Sequence, residues 1–189
     1  PHQIKLFFYI KVDGEIQQMD GWRGLKALKE IKKTKGQNPG AILTFTEESG
    51  QQIQMKVGLS YVCWRQAKKN MEAECNGWDF DAVVTESKDE WNEVLSKIKI
   101  EGGTLEDKKR FYTDLWHSLL GRRVINDVDG WYADYTSGRK KYKRLPLDEN
   151  KEPKHEHYNS DSFWGAQWTL NTLWSLAYPN ITSEFCNSF

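Results

Sequence analysis

The chain has 189 residues, in which Lys plus Arg and Asp plus Glu balance at 27 each. This length suits one domain or parts of two, and the neutral balance gives no support for a nucleic-acid-binding protein. No apolar run approaches the ~20 residues that span a bilayer, and three scattered cysteines without a C-x-x-C pair give no support for a zinc or redox site.

Strand patterns dominate the first third of the chain. Residues 4 to 12 are rich in β-branched and aromatic residues, which predicts a strand. Residues 15 to 40 are lysine-rich with apolar residues at three-residue spacing, and they predict either a short helix or a loop over a sheet. Residues 41 to 46 and 52 to 62 flank a turn and predict two paired strands. In the second of these, apolar and polar residues alternate, so we expect the apolar face to be buried.

Helical patterns begin near residue 63, where the apolar period changes from two to 3.6 residues. Residues 63 to 75 have apolar residues at four-residue spacing and predict a first helix. The capping box Ser87-x-x-Glu90 predicts the start of a second helix. A similar box, Thr104-x-x-Asp107, predicts the start of a third.

Residues 122 to 154 predict irregular structure. An acidic turn at 126 to 130 is followed by W-Y-A-D-Y, which predicts a short hairpin strand; the turn lacks the ligands of an EF-hand loop. The basic run at 139 to 144 predicts a solvated loop. His155 and His157 have metal-ligand chemistry, but no third or fourth ligand follows at a recognisable spacing.

The aromatic stretch from residue 155 to residue 179 contains Trp164, Trp168 and Trp174 and predicts one helix. Pro179 should end it, because proline disfavours the helical conformation of the preceding residue. Its apolar residues cover more than one face, so we expect the helix to be buried on most sides.

Polar residues Asp161, Gln167 and Asn171 lie among these aromatic residues. The stretch is compatible with a core helix whose polar groups bond the backbone. It is also compatible with the wall of a sugar pocket, in which aromatic rings cover the C–H face and polar groups bind hydroxyls. The order of strands first and helices second indicates an α+β protein, or a β domain joined to an all-α domain.

An ordered set of segments resembles glycoside hydrolase family 92. The segments are V-G-L-S-Y-V (57 to 62), R-Q-A-K-K-N-M-E-A-E (65 to 74), W-D-F-D (78 to 81), W-N-E-V-L-S-K-I (91 to 98), G-G-T (102 to 104), K-R-F-Y-T-D-L-W-H-S (109 to 118) and D-V-D-G-W-Y (127 to 132). They occur in the family's order and at about its spacings, from about residue 57 to residue 179.

The resemblance implies a calcium-dependent exo-α-mannosidase that inverts the anomeric centre and acts on an α-mannoside or a mannose-containing glycan. It also implies a β-supersandwich joined by linker helices to an (α/α)6 barrel. Residues 1–62 would be the C-terminal strands of the sandwich, 63–101 the linker helices and 102–189 the first barrel helices. The chain would then be an internal fragment of a secreted or periplasmic enzyme.

The sequence of this chain differs from the family pattern in the aromatic stretch. Most members carry W-D-T-x-R there, whose Asp and Arg lie near the terminal sugar, whereas this chain reads W-G-A-Q-W. Only the first tryptophan carries over. The expected substrate-binding residues are Trp164, Gln167, Trp168, Asp161 and His157.

The family's catalytic motifs, G-N-E-x for the acid and G-N-D-D for the base, do not occur in the 189 residues. We therefore assign no catalytic residue and no metal ligand, and we expect the calcium ligands to lie outside the chain. The isolated chain is expected to be inactive. The alternative is a carbohydrate-binding or interaction module without hydrolytic activity.

Overall fold

The computed structural model of the chain describes residues 4–46, 50, 52–121, 123–138, 140–159 and 163–188. It divides into two compact units, Ile10–Val57 on the one hand and Pro1–Tyr9 with Gly58–Phe189 on the other. Strands precede helices except for one late hairpin, so the chain mixes strands and helices as predicted. No helix in the described part is both long and apolar enough to cross a bilayer.

The strands are β1 (Phe7–Val12), β2 (Ile16–Arg23), β3 (Lys26–Leu28), β4 (Pro39–Phe45), β5 (Met55–Ser60), β6 (Trp131–Asp134) and β7 (Lys141–Arg144). The helices are α1 (Trp64–Glu74), α2 (Phe80–Leu95), α3 (Leu105–Leu119), α4 (Phe163–Ala166), α5 (Leu170–Ala177) and α6 (Pro179–Asn187).

The unit Ile10–Val57 contains an antiparallel sheet of order β3-β2-β4. Strands β2 and β3 are joined by a tight turn at Gly24, whose φ of +59° is a conformation that glycine adopts without steric cost. The prediction of a short helix or loop for residues 15 to 40 is therefore wrong for residues 16–28, whereas residues 29–38 lie outside helices and strands, as the loop alternative predicts. The three-residue spacing of Trp22, Leu25 and Leu28 arises from two strands and the turn between them.

The two strands predicted to pair with each other lie in different sheets. Strand β4 pairs with β2, with Gly21 opposite Ala41, whereas β5 pairs with β1. The predicted pairing of residues 41 to 46 with residues 52 to 62 is wrong because β2, a strand that the sequence pattern did not reveal, is the hydrogen-bonding partner of β4.

Strand β5 alternates as predicted, but the buried face is the opposite one. Val57 and Leu59 are 47% and 52% exposed, whereas Gly58 and Ser60 are buried. The cause is the close approach of α1, since a Cβ atom at Gly58 would overlap the carbonyl oxygen of Ala67. At Gly58 and Ser60 the strand therefore presents its small residues to the helix.

Helix α1 begins directly after Cys63, close to the predicted change of period. Its buried residues are Gln66, Ala67, Asn70 and Met71. Residues 66 and 67 lie about one helical turn before residues 70 and 71, so the four side chains form one buried face of the helix. Two of the four are polar, and buried polar groups require hydrogen-bond partners.

Helix α2 begins well before the predicted capping box. The Oδ1 atom of Asp79 accepts a hydrogen bond from the backbone N–H of Ala82 at 2.9 Å and so caps the helix. Ser87 and Glu90 lie inside the helix, and the box predicted for them is wrong because the earlier aspartate already supplies the cap.

Helix α3 begins with the predicted capping box. The backbone N–H of Thr104 donates to Oδ2 of Asp107 at 2.9 Å, and the backbone N–H of Asp107 donates to Oγ1 of Thr104 at 3.2 Å. The reciprocal bonds satisfy two N–H groups that the first helical turn leaves unpaired. This prediction is confirmed.

Two buried aromatic residues join the later helices to the earlier ones. Trp174 on α5 is 2% exposed, and its indole N–H donates to the carbonyl oxygen of Ser118 at 3.3 Å. Tyr178 is 1% exposed, and its hydroxyl donates to the carbonyl oxygen of Val94 at 3.2 Å. Pro179 ends α5 as predicted and is the first residue of α6.

The aromatic stretch 155–179 does not form one helix. Helices α4 and α5 are separated by a turn at 167–169. Trp164 and Trp168 are 77% and 75% exposed, so the expected burial on most sides is wrong for this part of the stretch. Gly165 in the middle of α4 has a lower helix propensity than any other residue except proline.

Candidate functional site

A cleft of about 860 Å³ lies in the unit Pro1–Tyr9 with Gly58–Phe189. Small-molecule sites in proteins commonly measure roughly 300–1,000 Å³. The cleft is lined by Ile4, Tyr61, Arg123, Val124, Ile125, Tyr132, Ala133, Asp134, Tyr135, Thr136, Lys143, His157, Tyr158, Asn159 and Ser188. Tyrosines and polar groups dominate this lining, and such a surface suits a ligand with both apolar and hydroxyl groups.

One wall of the cleft is the antiparallel hairpin of β6 and β7, in which Tyr132 lies opposite Lys143. The hairpin strand predicted after the acidic turn is confirmed. The basic run at 139 to 144 was predicted to be a loop, but Lys141–Arg144 is a strand with exposed side chains. Main-chain hydrogen bonds to β6 hold it, so it needs no apolar face.

The turn that leads into this hairpin is fixed by Asp127, which is 2% exposed. Its Oδ2 accepts from the hydroxyl of Ser60 at 3.0 Å, and its Oδ1 accepts from Nδ2 of Asn70 at 2.8 Å. Nδ2 of Asn70 also donates to the carbonyl oxygen of Leu59 at 2.8 Å, and Oδ1 of Asn70 accepts from the N–H of Val128 at 3.0 Å. These bonds join β5, α1 and the turn.

The second acid of the turn, Asp129, is bound by the same helix. Its Oδ1 accepts from Nε2 of Gln66 at 2.7 Å, and its Oδ2 accepts from Nζ of Lys69 at 2.8 Å. Its carbonyl oxygen accepts from Nε of Arg144 at 2.8 Å. The polar residues of α1 therefore anchor the hairpin, which fixes one wall of the cleft.

The pKa values of Asp127 and Asp129 shift in opposite directions. Burial raises the pKa of Asp127, and the hydrogen bonds from Asn70 and Ser60 offset only part of that effect. Burial also acts to raise the pKa of Asp129, but the hydrogen bonds from Lys69 and Gln66 and the charge of Lys69 hold that pKa below its ordinary value.

This contrast predicts a pH dependence of stability. A raised pKa means that Asp127 stabilises the fold at low pH, where it is protonated, and that this contribution is lost as the pH rises through its folded-state pKa. Asp127→Asn mimics the protonated form. Its free energy of unfolding should therefore rise relative to the wild-type value as the pH rises from the ordinary pKa of an aspartate through the raised folded-state pKa.

Asp129→Asn is the matched control for this measurement, because the lowered pKa of Asp129 gives the opposite sign. The stabilising contribution of Asp129 is present above the unfolded-state pKa and is lost as the pH falls through the folded-state pKa. This variant should lose stability relative to the wild type as the pH rises through the window below the unfolded-state pKa, and the difference should stay constant above it. Parallel pH profiles for the two variants, obtained by urea unfolding, would contradict the electrostatic account of the turn.

His157 is half-buried at the cleft, and its position is fixed through its backbone. Its N–H donates to Oδ1 of Asn126 at 2.7 Å, and its carbonyl oxygen accepts from the N–H of Ile125 at 2.9 Å. The centres of the imidazole and Tyr132 rings are 4.2 Å apart. Burial lowers the pKa of His157, and the neighbouring His155 lowers it further, so the imidazole is neutral at pH 7.

Asp134 is buried at the cleft and is fully engaged. Its Oδ2 lies 2.7 Å from Nζ of Lys143, and its Oδ1 accepts from the hydroxyl of Thr136 at 2.7 Å and from the N–H of Thr136 at 2.9 Å. The hydrogen bond from Lys143, supported by those from Thr136, holds the pKa of Asp134 far below its ordinary value. The carboxylate is therefore ionised and paired at neutral pH.

Two tyrosines complete the polar part of the lining. The hydroxyl of Tyr158 donates to Oε2 of Glu184 at 3.3 Å, and burial raises the pKa of this tyrosine above its ordinary value. The hydroxyl of Tyr135 is buried and has no hydrogen-bond partner within the described structure. A buried hydroxyl without a partner is unfavourable.

Of the predicted substrate-binding residues that the structure describes, only His157 lines the cleft. Trp164, Gln167 and Trp168 are exposed on α4 and the turn after it and do not line the cleft. Asp161 lies outside the described residues. The structure therefore does not bring the predicted set together around this cleft.

Sequence reasoning missed Tyr132, Asp134, Lys143 and Tyr158 as cleft residues. A signal was available in W-Y-A-D-Y, where aromatic and acidic residues follow a turn that predicts a hairpin. The partner strand and the segment around Tyr158 are distant in the chain, so their arrival at the same cleft depends on tertiary structure.

The acid–base pair of an inverting glycosidase is not found in this cleft. Such enzymes hold two carboxyl groups about 6.5–9.5 Å apart with water between them. Among the lining residues Asp134 is the one carboxylic acid, and it is paired with Lys143. Within the described ranges no three His, Cys, Asp or Glu side chains converge as metal ligands.

Comparison with protein families gives two matches along the chain. The model described as the glycosyl hydrolase family 92 N-terminal domain matches residues 1–60. The model described as the glycosyl hydrolase family 92 catalytic domain matches residues 66–189.

Individual relatives agree with this result. The chain is similar to the family 92 inverting mannosidase from Bacteroides thetaiotaomicron, with a TM-score of 0.81 and 20% identity, over 97% of this chain and 24% of that one. It is similar to a family 92 α-mannosidase from the same organism solved in complex with mannoimidazole, with a TM-score of 0.81 and 18% identity, over 97% of this chain and 23% of that one.

A curated relative described as an uncharacterized secreted glycosidase, from Arthroderma benhamiae, is 30% identical over 120 residues. That match covers 60% of this chain and 14% of the relative. The chain thus spans less than a quarter of the length of the relatives named here.

Proposed function

Since the chain belongs to glycosyl hydrolase family 92, we propose that the complete protein is an exo-α-mannosidase that removes terminal α-linked mannose from glycans with inversion. The observation that carries this proposal is the match of the family's catalytic-domain model to residues 66–189. Similarity to a solved protein named as an inverting mannosidase supports the stereochemical part.

We assign three parts of the proposed enzyme to this chain. Residues 1–62 would be the last strands of a β-supersandwich, 63–101 the linker helices and 102–189 the first helices of an (α/α)6 barrel. The succession of strands and then helices supports this arrangement. The secreted relative supports a secreted or periplasmic location.

The sugar contacts that we propose for this chain lie on two surfaces. Trp164, Gln167 and Trp168 are exposed and therefore accessible to a ligand, and an exposed indole can stack on the C–H face of a sugar. His157 lies at the cleft. Asp161 is retained from the resemblance alone.

Catalysis and metal binding are assigned outside the described residues. The one carboxylate of the cleft is bound by Lys143 and Thr136, so it is not available as a proton donor or as a base. We propose that Ca²⁺ is held by oxygen ligands elsewhere in the complete protein, where it would bind sugar hydroxyls. In this proposal the chain binds and orients the substrate.

The test is release of mannose from α-1,2-, α-1,3- and α-1,6-mannobiose by the complete protein with calcium present. We expect hydrolysis of at least one of these substrates and none of methyl β-mannopyranoside. The 189-residue chain alone should release no mannose, because neither carboxylate of the acid–base pair has been assigned to it. Hydrolysis by this chain at the rate of the complete protein would contradict the assignment.

A second candidate is a sugar-binding module without hydrolytic activity. The observation that favours it is the cleft itself, which is suited to binding but has a single, paired carboxylate. The two candidates differ in the assay above, because a module would bind α-mannosides in the complete protein and release no mannose.

A further inference from the structure

Positive charge is concentrated in one short segment of the unit Ile10–Val57. The chain as a whole is neutral, with 27 basic and 27 acidic residues, yet residues 20–35 have six basic residues against two acids, a net charge of +4. All six basic side chains are exposed, namely those of Arg23, Lys26, Lys29, Lys32, Lys33 and Lys35. A segment charged in this way attracts an anionic partner over about one Debye length, roughly 10 Å at 0.1 M salt.

The fold gathers these residues around the β2–β3 hairpin. Arg23 and Lys26 lie opposite each other in the ladder, next to the turn. The connection from β3 to β4 returns to the same turn, because the N–H of Gly24 donates to the carbonyl oxygen of Gln37 at 3.2 Å. A Cβ atom at Gly36 would lie 2.8 Å from Cδ of Arg23, so this connection is also packed against the arginine side chain. The lysines of the connection therefore lie beside the hairpin and add to its charge.

The acids of this segment leave most of that charge uncompensated. A hydrogen bond from Nε2 of Gln18 at 2.8 Å, another from the N–H of Glu30 at 2.7 Å and the charge of Lys29 hold the pKa of Asp20 below its ordinary value. Asp20 is therefore ionised and offsets Lys29. Within the part of the chain that the structure describes, none of the six basic residues forms an ion pair. Their charge is available to a partner.

An apolar side chain lies at the tip of the same hairpin. Strand β2 ends at Arg23 and β3 begins at Lys26, so Gly24 and Leu25 form a two-residue turn, in which Leu25 is fully exposed. A leucine between two cations matches the boundary between the headgroups and the acyl chains of a bilayer. The cations can stay among the headgroups while the leucine enters the apolar region.

These features favour a lipid surface over a soluble polyanion. Five of the six cations are lysines, which bind anions as point charges, whereas specific anion pockets favour the planar fork of arginine. A soluble polyanion would leave Leu25 in water, whereas a bilayer would bury it. We propose that the six basic residues and Leu25 form a basic hairpin surface that binds the complete protein to anionic lipid headgroups. This proposal does not depend on the mannosidase activity proposed above.

The first experiment is cosedimentation of the complete protein with vesicles of phosphatidylcholine and phosphatidylglycerol at about three to one, and with vesicles of phosphatidylcholine alone. We expect binding to the anionic vesicles, much weaker binding to the neutral vesicles, and release as added salt screens the charges. Equal binding to both kinds of vesicle, or no binding to the anionic vesicles at low salt, would overturn the proposal.

The second experiment removes three charges from the basic hairpin surface. The variant combines Lys32→Gln, Lys33→Gln and Lys35→Gln. It should raise the lipid concentration for half-maximal binding at least tenfold, because each lysine near an anionic bilayer contributes to binding. The matched control removes three exposed lysines elsewhere in the chain by combining Lys88→Gln, Lys99→Gln and Lys154→Gln. The control should bind as the wild type does. Equal weakening by the two triple variants would show that net charge alone matters and would overturn the surface.

The third experiment tests insertion of Leu25. Leu25→Ser should weaken binding to the anionic vesicles at least threefold and leave retention on heparin, a soluble polyanion, unchanged. Leu25→Trp should strengthen vesicle binding, since tryptophan favours the membrane interface. The side chain is fully exposed, so both variants should fold. Vesicle binding equal to that of the wild type in both variants would contradict insertion, and retention on heparin without binding to the anionic vesicles would assign the surface to a soluble polyanion instead.

Discussion

Trp174→Ala is expected to lower the free energy of unfolding by about 3–5 kcal/mol, the usual cost of truncating a buried tryptophan. Trp174 is 2% exposed, and its indole N–H is bonded to the Ser118 carbonyl oxygen at 3.3 Å. The substitution leaves a cavity between α5 and α3 and removes that donor. Urea unfolding of the complete protein, combined with native-state hydrogen exchange of the α5 amides, measures the change.

Trp164→Ala is the matched control, since the same side chain is 77% exposed at that position. Its effect on the free energy of unfolding should be within about 0.5 kcal/mol. In the complete protein it should instead weaken α-mannoside binding at least tenfold, because Trp164 is proposed to contact sugar. Equal losses of stability for the two variants would contradict the placement of one tryptophan in the core and the other on the surface.

Asn70→Ala should lower the free energy of unfolding by about 3 kcal/mol, because it leaves a buried carboxylate and two backbone groups short of partners. Asn70 is 8% exposed and bonds Asp127, the Leu59 carbonyl and the Val128 N–H. The loss should also loosen the hairpin, so amides of Trp131–Asp134 should exchange faster.

Asn92→Ala on the exposed surface of α2 is the control for this change. It removes the same side chain from a helix without touching the buried network, so we expect a change within about 0.5 kcal/mol. If Asn70→Ala proved as mild as Asn92→Ala, the hydrogen bonds to Asp127 would not be what holds the hairpin in place.

Local patterns predicted much of the helical part of the fold. The change of apolar period located the start of α1, and the reciprocal Thr104–Asp107 box located the start of α3. An acidic turn followed by an aromatic segment indicated β6. In each case the stabilising groups lie within a few residues of one another, so the local sequence is enough to predict the element.

Predictions failed where the stabilising partner is remote. Asn70 looks like a surface residue of a polar helix, yet its partner Asp127 is 57 positions away in the chain. The apolar alternation of β5 suggested the wrong buried face, because the contact of Gly58 with α1 decides which face is covered. Strand pairing failed for the same reason, since β4 pairs with a strand that carries no clear pattern.

The candidate site was predicted only in part. The aromatic stretch indicated a sugar-binding surface, but Trp164 and Trp168 are exposed and do not line the cleft. The cleft gathers side chains from Tyr61, the β6–β7 hairpin and the segment around His157. No local spacing relates these parts, and only the folded chain brings them together.

The central claim is that this chain belongs to an inverting α-mannosidase. The most direct measurement is proton NMR of the complete protein with an α-mannobiose and calcium, recorded before the released sugar mutarotates. We predict that β-mannose appears first, because inversion at the anomeric centre of an α-mannoside yields the β-anomer. First appearance of α-mannose, or no release from any α-linked mannobiose, would contradict the account.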